Sequence, residues 1–281
     1  MATYKISESS TIDYLNTLHK EILEIMDIID SICSNHSLKY YLIGGSLLGA
    51  IRHQGFIPWD DDLDIVLPRK DFDKFIEIIK EEGGKNNLYL RWITTEPNYW
   101  PLFAKVCKEN TLFQEDDQTN VSRSGIFVDV FPLDFCGDMT KEVRIIRPII
   151  NQLRVLLLMK VRKRNWKLGN WTRNILSASF SSQSFHNVIN KLLKILERQS
   201  HSHYGMFGSA YKLDRQLFPI EWFEEGERIP FETSSYICPK ESTKVLEKTF
   251  GDDYMQLPPI EQRITHKPKK VITSDGTIFV F

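Results

Sequence analysis

The chain has 281 residues, 42% of them hydrophobic and 26% charged, with a formal net charge of −1. That length holds one large domain or two small ones, and that balance is an ordinary globular one with enough apolar residues for a core. Cys33, Cys107, Cys136 and Cys238 have no paired spacing, which speaks against a zinc knuckle or a disulfide framework and fits a reducing cytoplasm. MATYKISESS carries no basic-plus-apolar signal, and no run approaches the ~18 apolar residues of a bilayer span.

Ser10 to Asn35 reads as a helix, with Ile12, Leu15, Leu18, Ile22, Ile25 and Ile29 recurring every three or four residues in one apolar stripe. His19 and His36 are expected at its surface. Tyr40 to Ile43 reads as a strand that runs into Gly44-Gly45-Ser46 and then a helix from about Leu47 to Arg52. Glycines allow close backbone approach to a ligand, and a helix N-terminus offers free N–H groups to a phosphate. A strand follows, Asp60-Asp61-Asp62-Leu63-Asp64-Ile65-Val66-Leu67. Alternation places Asp60, Asp62 and Asp64 on one face and Leu63, Ile65 and Leu67 on the other. Carboxylates this close raise one another's pKa unless a cation sits among them. Hard oxygen ligands on a rigid element suit Mg²⁺. Taken singly, an acidic run is more often a solvated loop and Gly-Gly-Ser a plain turn.

Asp71 to Glu82 reads as a helix closed by Gly83-Gly84. Leu88 to Thr94 is expected as a strand, and Phe103 to Val106 and Thr111 to Phe113 as a hairpin around Lys108-Glu109-Asn110. GIFVDVF at Gly125 to Phe131 is a strong strand whose lone polar residue, Asp129, is costly to bury without a partner. It reads as a third site carboxylate beside the Asp62/Asp64 strand, or otherwise as a satisfied structural acid. Val143 to Leu196 contains eleven Lys or Arg and no Asp or Glu. Trp166 and Trp171 sit among them, and two helices are expected, about 141–163 and 184–200. Such a stretch suits an anionic lipid surface or a polyanionic acceptor, or equally a solvated insertion balanced by acids elsewhere; no nucleic-acid motif accompanies it. Later come short strands at 217–219 and 226–231 and a helix at 240–250. His201 and His203 are expected to face solvent. The tail after His266 shows no functional pattern.

The glycine–serine turn followed by Asp-x-Asp matches the nucleotidyltransferase superfamily. GGSLLGAIRHQGFIPWDDDLDIVLPRKDF resembles the signature of the LicD family, as do SGIFVDVFPLD at Ser124 to Asp134 and FGDDYMQLPPIEQRITH at Phe250 to His266. The resemblance implies an α+β fold, a nucleotidyltransferase-type mixed sheet flanked by helices, here with a basic helical insertion. The expected divisions are a catalytic core over 1–140, the insertion over 141–210 and a segment over 211–281 that returns to the site. It further implies a CDP-activated donor, most often CDP-choline, a sugar hydroxyl acceptor on a surface glycan or its lipid-linked precursor, and release of CMP. CDP-glycerol and CDP-ribitol remain open as donors. Phosphoryl transfer needs placement and charge neutralisation. Asp62 and Asp64 are therefore assigned to metal, two Mg²⁺ or alternatively Mn²⁺, with Asp129 as a further ligand and candidate base. Asp60 is an added ligand or an orienting residue. Gly45 and Ser46 would hold a phosphate. Arg52, Lys105 and Arg263 are candidate phosphate cations or structural ion-pair residues, and His266 a candidate donor or acceptor contact. Trp59, Trp92, Tyr99 and Trp100 are available for a trimethylammonium cage. A cytoplasmic enzyme is expected, with peripheral contact at the inner face of the plasma membrane through 143–196 as an option. Two other classes fit the sequence: a nucleotidyltransferase passing NMP to a small acceptor, and a non-catalytic nucleotide-binding module.

Overall fold

The computed structural model describes residues 8–115, 124–161, 175, 177–263 and 268–281. The opening stripe folds as helix α1 (Glu8–Asn35), and Leu15, Leu18, Ile22, Ile25 and Ile29 are all buried. Their three-to-four spacing gives one apolar side, which packs on the main sheet.

That sheet has seven strands: β1 (Tyr41–Leu42), β2 (Asp64–Pro68), β3 (Leu88–Arg91), β4 (Ala104–Lys108), β6 (Phe127–Cys136), β7 (His203–Gly205) and β8 (Leu217–Pro219). They run in the order β1-β2-β6-β4-β3. β2 and β6 are parallel and the other pairs antiparallel. β6 is longer than GIFVDVF suggests. Its first half pairs with β2 and β4, and its last three residues turn to β7, with β8 beyond. Helix α2 (Gly44–His53) connects β1 to β2. Helix α3 (Arg69–Glu82) inserts Phe72, Phe75, Ile76 and Ile79 against β2, β3 and β6. The architecture is α+β with a mixed sheet.

Three sequence expectations change. The acidic strand starts at Asp64, not Asp60. Burial nonetheless alternates from Asp60 onward, with Asp61, Leu63 and Ile65 buried and Asp60, Asp62 and Asp64 half-buried. The 103–113 hairpin does not form: β4 pairs with β3 and β6, whereas β5 (Leu112–Gln114) leaves for another sheet. There it pairs with β11 (Lys270–Ile272), which in turn pairs with β12 (Ile278–Val280), so the patternless tail supplies two strands joined at Gly276, whose φ is +88°. A separate ribbon pairs β9 (Gly226–Phe231) with β10 (Ser234–Pro239).

The acid-free region forms helices α4 (Lys141–Val161) and α5 (Ser182–Gln199), close to the expected bounds. Val143, Ile146, Ile150 and Leu157 of α4 meet Phe185, Ile189, Leu193 and Leu196 of α5 in a second core, completed by Phe207 and Leu217. The cluster Arg162-Lys163-Arg164, Lys167, Arg173, Trp166 and Trp171 lie outside the described residues. A short final helix, α6 (Ser242–Phe250), packs against α2.

Candidate functional site

The site begins where β1 meets α2. Ile43 is extended (φ −141°), and Gly44 then enters the helix with φ +59°, a conformation that favours glycine. The turn is stitched to the start of β2: Ile43 N–H donates to the Asp64 carbonyl (3.2 Å), and Asp64 N–H donates to Ser46 Oγ (2.8 Å). The Ser46 hydroxyl keeps its own proton for donation. A Cβ built on Gly45 would stand 2.6 Å from Asp60 Oδ2, and one on Gly44 3.4 Å from Asp64 Oδ2. Two carboxylates thus press against a glycine backbone at a helix N-terminus, whose first N–H groups have no intrahelical acceptor.

The register of the sheet completes the arrangement. Asp64 on β2 lies across from Asp129 on β6, Asp129 across from Lys105 on β4, and Lys105 across from Arg91 on β3. Residues directly opposed on neighbouring strands share a face, so two acids and two bases cross the sheet in one row. Lys105 Nζ is 3.0 Å from Asp129 Oδ1 and donates to Oδ2 at 3.3 Å; Glu115 stands 3.8 Å away. The ammonium also lies over the Phe127 ring, 3.3 Å from its centroid. Arg91 is buried and donates to Glu96 (2.9 and 3.3 Å) and to Ser124 Oγ (3.3 Å). The row therefore ends in satisfied pairs on the basic side.

The acidic side is under electrostatic pressure. Burial, then Asp62, Asp129 and Asp60, holds the Asp64 carboxyl well above the usual carboxylate range. Burial pushes Asp129 up to about 6 against the pull of Lys105, and Asp62 adds to the rise. Asp129 Oδ1 is buried, and although the Lys105 ammonium lies 3.0 Å away, the hydrogen bond from Lys105 goes to Oδ2. A cation would relieve all three conditions. Among the described residues, no three His, Cys, Asp or Glu side chains already close into a metal-holding group. The arrangement suits an ion that keeps waters and takes substrate phosphates beside one or two carboxylates.

The expected cations take different positions. Lys105 is the ion-pair partner of Asp129. Arg52 donates to the carbonyls of Tyr254 (2.7 Å) and Gln256 (3.2 Å), which ties α2 to the turn after α6. The Arg263 guanidinium lies over the Trp59 ring at 4.7 Å and donates to the Pro258 carbonyl. Burial and the neighbouring Arg263 together lower the pKa of Arg52, so these two cations share one rim. His266 lies outside the described residues. Trp92 and Tyr99 pack inward with Phe72 and His186, and the Trp59 face already carries a cation.

Three contributors escaped sequence reasoning. His19, expected at the surface, is half-buried, bonds the Asp60 carbonyl (2.7 Å) and stacks on Phe56. Tyr211 is 46% exposed, and its hydroxyl pKa rises through burial and then the charges of Asp64, Asp60 and Asp62, so it borders the carboxylates. Arg69 grips the buried Asp134 through both oxygens (2.7 and 2.9 Å). That pair clamps the end of the IVLPR stretch to the end of VFPLD. It shows that Asp129 and Asp134 of one motif serve different ends. Only three-dimensional proximity identifies Tyr211; the Arg69–Asp134 pair joins two motifs that a sequence reading keeps apart.

Paired carboxylates on adjacent strands thus stand beside a glycine-led helix N-terminus on an α+β scaffold. Residues 37–148 match the family described as LicD/FKTN/FKRP, nucleotidyltransferase domain. The chain is 26% identical over 253 residues to the lipopolysaccharide cholinephosphotransferase LicD of Haemophilus influenzae, covering 87% of this chain and 92% of that one. An uncharacterized protein of Rickettsia typhi is 35% identical over 138 residues, 47% of this chain and 38% of that one. The mouse ribitol 5-phosphate transferase FKRP is 26% identical over 113 residues, 40% of this chain and 23% of its own length. The FKRP stretch is thus a domain-level likeness, whereas the bacterial one spans nearly both chains.

Proposed function

We propose that this protein is a transferase that moves a phospho-substituent, phosphocholine above all, from a CDP-activated donor to a sugar hydroxyl of a cell-surface glycan or its lipid-linked precursor, releasing CMP. The observation that carries it is the pairing of Asp64 with Asp129 across parallel strands, against the Gly44-Gly45-Ser46 helix start. Similarity to a cholinephosphotransferase over most of both chains supports the substrate class.

In this reading Asp64, Asp62 and Asp129 hold Mg²⁺, or Mn²⁺ in its place, with Asp60 as a further ligand or an orienting group. When bound, such an ion neutralises the donor diphosphate and the charge that develops on the leaving phosphate. The α2 N-terminus and the Ser46 hydroxyl take a phosphate oxygen, and the glycines let it approach the backbone. Arg52 and Arg263 supply positive charge at the rim. Asp129, across from Asp64 in the row, takes the proton of the acceptor hydroxyl. Lys105 holds it in place and limits how far its pKa climbs. No described helix is long and apolar enough to cross a membrane. We place the enzyme in the cytoplasm, with α4 and α5 meeting the inner face of the plasma membrane: Ile145, Ile149, Val188 and Ile195 are exposed there in an acid-free, basic stretch.

The test is incubation with CDP-choline, CDP-ribitol and CDP-glycerol, Mg²⁺ and glycan precursor. CMP release from one donor is the expected result. Pyrophosphate release from a nucleoside triphosphate would instead favour NMP transfer, a reading kept alive by the nucleotidyltransferase designation of the domain. Release of neither product overturns both.

A further inference from the structure

A reaction that joins two anionic molecules needs a place for each. The cations around α2 and the 251–263 turn make up one set. A second set lies elsewhere, in an open cleft of about 240 Å³ between α4 and the 206–213 loop. Arg147, Asn151 and Arg154 line it from α4, one helical turn apart on one side of the helix, and Ser209, Tyr211 and Lys212 line it from the loop. None of the described lining residues is acidic.

The cleft is built. Arg154 spends its guanidinium on three backbone carbonyls, those of Phe207 and Ser209 (both 3.1 Å) and Gly208 (2.9 Å). Carbonyls fix its position without neutralising its charge. Arg147 stands close enough that, after burial, it is the second cause lowering the Arg154 pKa, so the two positive charges repel across the cleft. Among the described residues Arg147 makes no ion pair with an acid. Tyr211 joins this cleft to the carboxylates, whose charges its hydroxyl feels.

We infer that this cleft binds a phosphate monoester or similarly charged anion carried by the acceptor, held by Arg147 and Lys212 on either side of it. This rests on the transferase reading above for the word acceptor, but the anion site stands on its own geometry. Charge complementarity explains why α4 carries no acid after Glu142: acids along the cleft would compete with the ligand for Arg147 and Lys212.

The experiment is calorimetry on the full chain without divalent cations, using glucose 6-phosphate, inorganic phosphate and glucose as probes. Both phosphates should bind and glucose should not. Arg147→Gln with Lys212→Gln should weaken phosphate binding by about tenfold or more, the scale of losing charge-assisted contacts. Arg147→Lys with Lys212→Arg should retain it, which separates lost charge from a damaged fold. Equal binding by wild type and the Gln pair, or no binding by wild type, overturns the proposal. Displacement of glucose 6-phosphate by CDP-choline also overturns it, because the cleft would then serve the donor. A protein that turns over no CDP-linked donor yet loses phosphate binding in the Gln pair would sink the transferase reading and leave the anion site standing.

Discussion

The central sheet and the α4–α5 pair both hold many charged residues, and they manage them in opposite ways. The sheet buries its charges in a row, Asp64, Asp129, Lys105 and Arg91, between strands whose other faces are core. The helical pair keeps its bases exposed or half-buried, Arg154 held by carbonyls in the cleft, and fills its seam with Ile, Leu and Phe. Burying a charge is costly without a partner, so the sheet is less stable than an apolar row would make it. The helices incur less of it, at Arg154. The concentration of buried charge on the sheet is what singles it out as the candidate site.

Breaking the acidic end should give the largest effect, and on activity alone. Asp64→Asn is expected to lower turnover by ~10³-fold or more, the scale of removing one group that stabilises developing charge. Its melting temperature in chelator should not fall, because the variant removes a carboxylate that Asp62, Asp129 and Asp60 oppose. Added Mg²⁺ should raise the melting temperature of the wild type more than that of the variant, since a ligand that binds the folded state stabilises it. Near-normal activity, or a collapse in stability without metal, would show Asp64 to be structural.

The basic end should break the fold as well. Lys105→Met leaves Asp129 buried beside Asp64, and Asp129→Asn leaves Lys105 without its main partner. Each should cost about 3–5 kcal/mol, as for a buried pair that loses one member. The double variant should cost less than the sum, and a denaturant-melt cycle measures that coupling. Additive losses would mean that Lys105 does not hold Asp129.

How much of this was legible beforehand follows from where information sits in a chain. Ser10 to Asn35 and the two basic helices carry their period locally, and the helices appear within a few residues of the expected bounds. Asp64 and Asp129 could be singled out because each interrupts a run of β-formers. Their registration, and the Lys105 and Arg91 that continue it, depends on strand order, which no local pattern encodes. The false hairpin at 103–113 had the right residues and a turn at Asn110, whose φ is +59°; a distant partner, β11, took β5 instead. KVITSDGTIFV did hold a hairpin signal, alternating residues about an Asp-Gly turn, which three-residue strands made easy to pass over.

Stability against pH should separate the two regions by sign. His186 on α5 is buried against Trp92, near the Arg69–Asp134 pair, and its Nε2 has no hydrogen-bond partner. Burial lowers its pKa from 6.5 to about 4. Its contribution is therefore complete above about 6.5 and is lost as pH falls towards 4, on the order of 3 kcal/mol in all. Asp129 works the other way. Its carboxyl is raised from 3.8 to about 6, so its contribution is full below 3.8 and is lost as pH rises through about 6. His186→Phe should flatten the acid side of the profile and leave the Asp129 limb intact, as read by denaturant midpoints from pH 4 to 7. An unchanged acid limb would show that His186 stays protonated in the fold.

The smallest expected effect tests whether the outer side of the helical pair is merely solvated. Ile145 is 65% exposed and Ile149, one turn on, 43%; Val188 and Ile195 on α5 are exposed by similar amounts. Arg144 and Lys191 lie exposed among them. Apolar side chains beside bases fit an anionic bilayer surface, where each basic residue near the lipid contributes about 1 kcal/mol. Arg144→Gln alone should then weaken binding to phosphatidylglycerol vesicles by about fivefold, and Ile145→Ser with Ile149→Ser by a comparable factor. The first loss should vanish at high salt, because charge attraction is screened within a Debye length. The second should persist, because apolar burial does not depend on ionic strength in that way. Vesicle co-sedimentation of the full chain at low and high salt reads both. A wild type that leaves anionic vesicles alone at low salt would return this face to water and leave the inner cleft, with Arg147 and Lys212, as the one use of the bases on this side of the molecule.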